Sequence, residues 1–185
     1  VLRKTGTGVH HTMANTVDTQ RGPVNSVHCD FTDDAPLVMQ LRRRQREDPR
    51  LAGGRFMLIN FWRSIGMTGP VQQYPLAVCD STSVPPSDLV ARRTPENGNH
   101  VYNALASQGH QWSFFPNMTA EEMLIFKTWD EDACTQRGTV GPGGVSKFSL
   151  HSAFELEHAP PDVPARESVE VRFAVFWGPL HQAKM

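Results

Sequence analysis

The segment ESVEVRFAVFW, residues 167–177, alternates strictly enough to constrain the fold before anything else does. With a side-chain period of two, Arg166, Ser168, Glu170 and Arg172 share one face of an extended chain, and Glu167, Val169, Val171 and Phe173 share the other. Such a strand either lines a polar cavity with its charges or stands in water with an Arg/Glu ladder, and the sequence leaves both open. Shorter runs rich in β-branched and aromatic residues also read as strands: RFMLINFWRS (55–64), YPLAVCD (74–80), HQWSFFP (110–116), EMLIFKTWD (122–130) and FSLHSAFELE (148–157). One helix is predicted over 35–48. Asp33 and Asp34 can cap its start, Leu37, Met39 and Leu41 supply apolar contacts, and Arg42, Arg43, Arg44 and Arg46 gather where the helix dipole favours cations. Residues 81–97, with Pro85, Pro86 and Pro95, read as a surface excursion. NMTAEE (117–122) reads as a capped turn or short link, and 135–147 as a Gly-rich loop without a phosphate-binding pattern. Many short strands and one or two helices predict a mostly β fold, a sandwich or jelly roll with a few flanking helices.

The 185 residues, 39% hydrophobic, suffice for one substantial core. Residues 1–26 are polar and Gly/Thr-rich and read as an N-terminal arm, with a single domain over 27–185. The first residue is Val rather than Met, so a missing natural beginning is expected. A net charge of -1, from 18 basic and 19 acidic residues, gives no electrostatic footprint for nucleic acid or an anionic membrane. No apolar run approaches the roughly 20 residues that span a bilayer. The first residues lack the apolar centre of a signal peptide. Cys29, Cys79 and Cys134 are an odd set without a CxxC pair, which suggests free thiols in a reducing, cytoplasmic setting. The expected partner is a small-molecule substrate, with neither nucleic acid nor membrane; the reading allows a homodimer.

The chemistry begins at VHCDFT (27–32). His28 and Asp30 point to one face of an extended chain, while Val27 and Cys29 point to the other. Two histidines and a carboxylate on three adjacent positions of an octahedron suit non-heme Fe(II), because the open positions take a co-substrate and dioxygen. The pair alone is cheap: with 8 histidines, about one H-x-[DE] arises by chance. A strand-end histidine near a capping aspartate explains it more simply. Further on, His151 lies in a predicted strand, and Arg166 and Ser168 project together one hairpin later. A guanidinium grips a carboxylate at two points and a hydroxyl adds a third bond, the anchor a dicarboxylic keto acid needs at its far end. Other residues carry blander readings. His10 and His11 sit in the arm, and His158 is a weaker alternative to His151. His110 and Trp112 flank an aromatic strand as core or as substrate contacts. Asp80 and Asp130 read as turn or capping carboxylates. Cys29 has no neighbouring base to activate it.

Five blocks in order, VHCDFT, INFWRSIGMTGPVQQYPLAVCD, QWSFFPNMTAEEMLIFKTWD, HSAFE and RESVEVR, resemble the AsaB/CmcJ/NvfI-like hydroxylase and desaturase family of fungal and bacterial secondary metabolism. The resemblance covers roughly residues 22–177. It implies an Fe(II)- and 2-oxoglutarate-dependent oxygenase on a double-stranded β-helix. It further implies that His28, Asp30 and His151 bind the catalytic iron and that Arg166 with Ser168 holds the distal carboxylate of 2-oxoglutarate, with O2 as the second co-substrate. The block with Trp62 and Arg63 belongs to the family pattern and is expected to line the active site, and Trp112 to touch substrate. The family carries a longer stretch ahead of its H-x-D motif, so part of a lid or a sheet edge is expected to be missing. Two rivals stand beside this reading. One is an iron oxidase without 2-oxoglutarate, marked by an Arg166 turned from the metal or tied to Glu170; the other is a β-sandwich binding module with a degenerate site.

Overall fold

The computed structural model describes residues 2–4, 22–94, 98–131, 145–160 and 162–178. His10, His11, Cys134 and most of the Gly-rich loop lie outside them. In chain order the elements are β1 (Leu2–Lys4), β2 (His28–Cys29), α1 (Pro36–Glu47), β3 (Arg55–Ser64), β4 (Leu76–Cys79), β5 (Leu89–Arg93), β6 (His100–Ala104), β7 (Trp112–Phe114), β8 (Leu124–Asp130), β9 (His151–Ala153) and β10 (Glu167–Trp177). They form a four-stranded sheet, β1-β10-β3-β8, and a six-stranded sheet, β5-β6-β2-β9-β4-β7. All the pairings are antiparallel. This is the jelly-roll arrangement expected from the sequence, flanked by α1 and two short 3-10 turns, Ser81–Ser83 and Pro86–Asp88. Three residues of the stretch read as an arm, Leu2–Lys4, pair with β10 as an edge strand.

β10 settles the choice its alternation left open. Ser168 and Glu170 are buried, whereas Val171 and Phe173 are 41% and 50% exposed, so the polar face points inward. Its partner β3 buries Phe56, Leu58, Asn60, Trp62 and Ser64 in strict alternation. The register sets Asn60 opposite Arg172, Trp62 opposite Glu170 and Ser64 opposite Ser168. A polar inner face is costly unless its groups are paired or serve a ligand. Outside, Phe61 and Phe173 meet edge to face at 5.1 Å.

The helix forms where predicted, but neither aspartate caps it. Ala35 holds the cap position with no side-chain hydrogen bond. Asp33 instead accepts from Tyr102 Oη (2.9 Å) and Lys147 Nζ (2.7 Å), and Asp34 from Thr32 Oγ1 (2.5 Å). Val38 and Leu41 bury against Phe31, Phe56, Leu58 and Trp129, while Met39 is 49% exposed. The arginine run is largely solvated, although Arg42 reaches Glu131 at 2.7 Å. Val38→Ala removes two methyl groups from this cluster. The expected cost is about 2 kcal/mol, read from the midpoint of denaturant unfolding.

β5 and β6 were not legible: the first hides in the Pro-rich stretch, and four of its five residues are exposed. Asp80 caps the first 3-10 turn, accepting from the backbone N–H of Thr82 at 2.8 Å, as expected of a turn carboxylate. Asp130 is not one. It is fully buried at the end of β8 and bonded by Arg55 Nη2 (2.5 Å) and Lys127 Nζ (2.6 Å). Burial pushes its carboxyl up, yet the bonds and charges of those two cations outweigh burial and hold it below its ordinary value.

Candidate metal centre

Sheet register brings the three distant residues together. His28 of β2 stands directly opposite His151 of β9, and cross-strand partners share a face. Their rings lie 4.3 Å apart between centroids. Asp30, two positions after His28, projects to the same side. The ligand atoms of His28, Asp30 and His151 lie within 4.8 Å of one another. Asp30 Oδ1 is 3.9 Å from His28 Nε2, and Oδ2 is 3.9 Å from His151 Nε2.

Both imidazoles are oriented by the same local device. His28 Nδ1 lies 2.8 Å from the carbonyl of Ser26, and His151 Nδ1 lies 3.0 Å from that of Ser149, each two residues upstream. A carbonyl only accepts, so Nδ1 carries the proton and Nε2 turns its lone pair to the shared centre. This is the support that metal-ligating histidines use. Neighbouring ligands at about 2.1 Å from an ion lie about 3 Å apart, so donors 3.9 to 4.8 Å apart stand about 1 to 2 Å wider than a closed site.

Asp30 is held from behind. Arg172 Nη2 lies 2.7 Å from Oδ2, and Asn60 Nδ2 donates to the same oxygen at 3.0 Å. Arg172 Nε donates to Asn60 Oδ1 at 2.8 Å, which closes a ring of three side chains. Neither Arg172 nor Asn60 stood out in the sequence as a partner of Asp30. The available signal was their place on inward strand faces. Cys29, fully buried, faces away into a cluster with Cys79, Phe148 and Leu150. Burial, then the charge of Asp30, raises its thiol well above the usual range, which fits an inert role.

A narrow cavity of about 10 Å³, room for about one water, joins His28 and His151 to Trp62, Leu76, Arg166 and Glu170. Arg166, only 1% exposed, lies over the Trp62 ring at 5.5 Å and donates through Nη1 to the carbonyl of Tyr74. Ser168 is equally buried, and its Oγ has no hydrogen-bond partner among the described residues. Tyr74 adopts a left-handed φ of 49°, unusual for a non-glycine residue, and donates its hydroxyl to Glu155 Oε1 at 2.8 Å. Nothing in the sequence marks a tyrosine for that conformation.

The structure does not bring every expected residue here. Arg63 follows Trp62, so the pleat turns it to the other face, where it donates to the carbonyl of Ala120. Trp112 pairs in register with Cys79, whereas His151 pairs with Val78. Trp112 therefore stands on the opposite face of the six-stranded sheet from the triad. There it lines a cavity of about 690 Å³ with Ala77, Phe114, Ser152 and Phe154. His110 meets Asp88 Oδ2 at 2.9 Å, a structural pair. His158 lies exposed in a turn.

Comparison with known proteins matches residues 3–176 to the family described as "Oxidoreductase/YMDC permease-like domain". The chain belongs to that family. Among the described residues no helix is long and apolar enough to cross a membrane. One relative in the curated set, hydroxylase/desaturase efuI of Hormonema carpetanum, is 35% identical over 87% of this chain and 54% of its own. Another, the Fe(II)/2-oxoglutarate-dependent dioxygenase nvfI of Aspergillus novofumigatus, is 29% identical over 84% of this chain and 53% of its own. A solved structure of the iron and alpha-ketoglutarate-dependent endoperoxidase NvfI superimposes with a TM-score of 0.70 at 27% identity, covering 96% of this chain and 58% of that one. These matches bear out the resemblance read from the five blocks. The chain spans about half the length of these curated relatives.

Proposed function

We propose that this chain carries the metal and co-substrate centre of an Fe(II)/2-oxoglutarate-dependent oxygenase that hydroxylates, desaturates or otherwise oxidises a small-molecule secondary metabolite. The observation that carries the reading is the His28, Asp30, His151 cluster, with both Nε2 atoms turned to one centre by backbone carbonyls. The donor set, two imidazoles and one carboxylate, suits iron with open positions. When Fe(II), 2-oxoglutarate and O2 are bound, the centre supplies oxidation of an unactivated C–H bond coupled to conversion of the keto acid to succinate and CO2.

The residues divide the remaining work. His28, Asp30 and His151 would hold the metal. Arg166 would grip the distal carboxylate of 2-oxoglutarate, and the buried Ser168 hydroxyl, which has no other described partner, would add a hydrogen bond. Arg166 lines the same cavity as the histidines, which favours a 2-oxoglutarate enzyme over an iron oxidase without it. Trp62, Leu76 and Phe126, whose ring lies 4.8 Å from that of His151, exclude water from the centre. Cys29 and Cys79 are free buried thiols, which supports a cytoplasmic setting.

The test is aerobic turnover with Fe(II) and 2-oxoglutarate against a panel of apolar metabolites. Oxidised product is expected to appear in equal amount with succinate and to require both additions. Product without succinate would overturn the co-substrate assignment.

A further inference from the structure

We propose that Arg172 is a positioning residue for Asp30: by engaging Oδ2 together with Asn60, it makes the aspartate a one-oxygen ligand and keeps metal positions open for the keto acid. The inference deepens the function proposed above and rests on it. A carboxylate has two oxygens and can clasp a cation with both, which would consume a position that 2-oxoglutarate needs. Here both donors converge on the same oxygen, Arg172 Nη2 at 2.7 Å and Asn60 Nδ2 at 3.0 Å.

The arrangement is rigid. Arg172 and Asn60 are register partners on β10 and β3, and the Nε to Oδ1 bond of 2.8 Å fixes which way the Asn60 amide turns. Asn60 is fully buried, and the guanidinium lies over the Phe31 ring at 4.9 Å. Glu170 Oε1, 3.6 Å from Arg172 Nη2, balances part of its charge. A cation this near a metal ligand weakens metal binding by repulsion. A residue that merely supported the site would strengthen binding instead, so the two roles predict opposite effects on Fe(II).

The experiment measures anaerobic Fe(II) affinity and, separately, 2-oxoglutarate affinity of the Fe(II)-loaded protein by equilibrium dialysis and by the visible absorption of the iron–keto acid chelate. Arg172→Met is expected to bind Fe(II) no more weakly than the parent chain while losing about tenfold or more in 2-oxoglutarate affinity, the scale for residues behind a metal ligand. Arg172→Lys, which keeps a donor for Oδ2, should restore the affinity. Loss of Fe(II) affinity in Arg172→Met, or unchanged 2-oxoglutarate affinity, would overturn the proposal. Should that variant not fold, Asn60→Ala removes the other donor on Oδ2 and must lower 2-oxoglutarate affinity in the same way, or the proposal falls. Failure of the parent chain to take up Fe(II) would instead defeat the underlying reading.

Discussion

Replacing Asp30 with alanine is expected to abolish stoichiometric Fe(II) binding, lowering affinity by well over the roughly 100-fold scale of losing a partner behind a ligand. Asp30 is the one anion of the cluster, 3.9 Å from each imidazole. Without it, two neutral imidazoles face a dication, with Arg172 close by and no longer engaged by the carboxylate that accepts from it at 2.7 Å. Loss of a donor and gain of repulsion act in the same direction. Asp30→Asn keeps the shape and an oxygen for Arg172 but removes the charge, so it should restore folding without restoring iron. Metal analysis after anaerobic loading and desalting reads the outcome. Iron content equal to that of the parent chain would remove Asp30 from the centre.

The sequence made this cluster legible in part because strand periodicity is a local property. His28 and Asp30 are two residues apart, so their common face follows from the pleat alone. The same rule put Arg166 and Ser168 together, and both are buried on the inward side. The same rule separates Trp62 from Arg63, although both were expected to line the site, since the neighbour of an inward Trp62 turns outward. What the pleat could not supply was register between strands distant in sequence. The pairing of His28 with His151, and of Cys79 with Trp112, decides which aromatic residues meet the triad and which stand behind the sheet. The resemblance brought His151 in, but nothing placed Trp112 on the far face. Arg172 escaped notice as a partner of Asp30 because its role depends on β10 lying against β3 with Asn60 opposite. The β5 strand was hidden for a different reason: its exposed edge position leaves no burial pattern to read, and prolines frame it.

Arg166→Ala should weaken 2-oxoglutarate binding by about 2 to 4 kcal/mol, the scale for removing one partner of a buried charged pair. That corresponds to roughly 30- to 1000-fold in affinity. The magnitude follows from burial: at 1% exposure the guanidinium acts where water cannot replace it. Iron content should stay at the level of the parent chain, because Arg166 is not among the clustered donors. The substitution also removes the donor to the Tyr74 carbonyl, which sits at a φ of 49°. Some loss of thermal stability should therefore accompany the loss of affinity, and Arg166→Lys separates the two effects. Lysine keeps a charge in the cavity but lacks the planar fork, so it should recover stability better than it recovers two-point recognition of a carboxylate. Titration of the anaerobic, Fe(II)-loaded variants reads the result directly. An Arg166→Ala chain that binds 2-oxoglutarate as tightly as the parent would place the anchor on another cation, and Arg166 would then serve the Tyr74 carbonyl rather than a ligand.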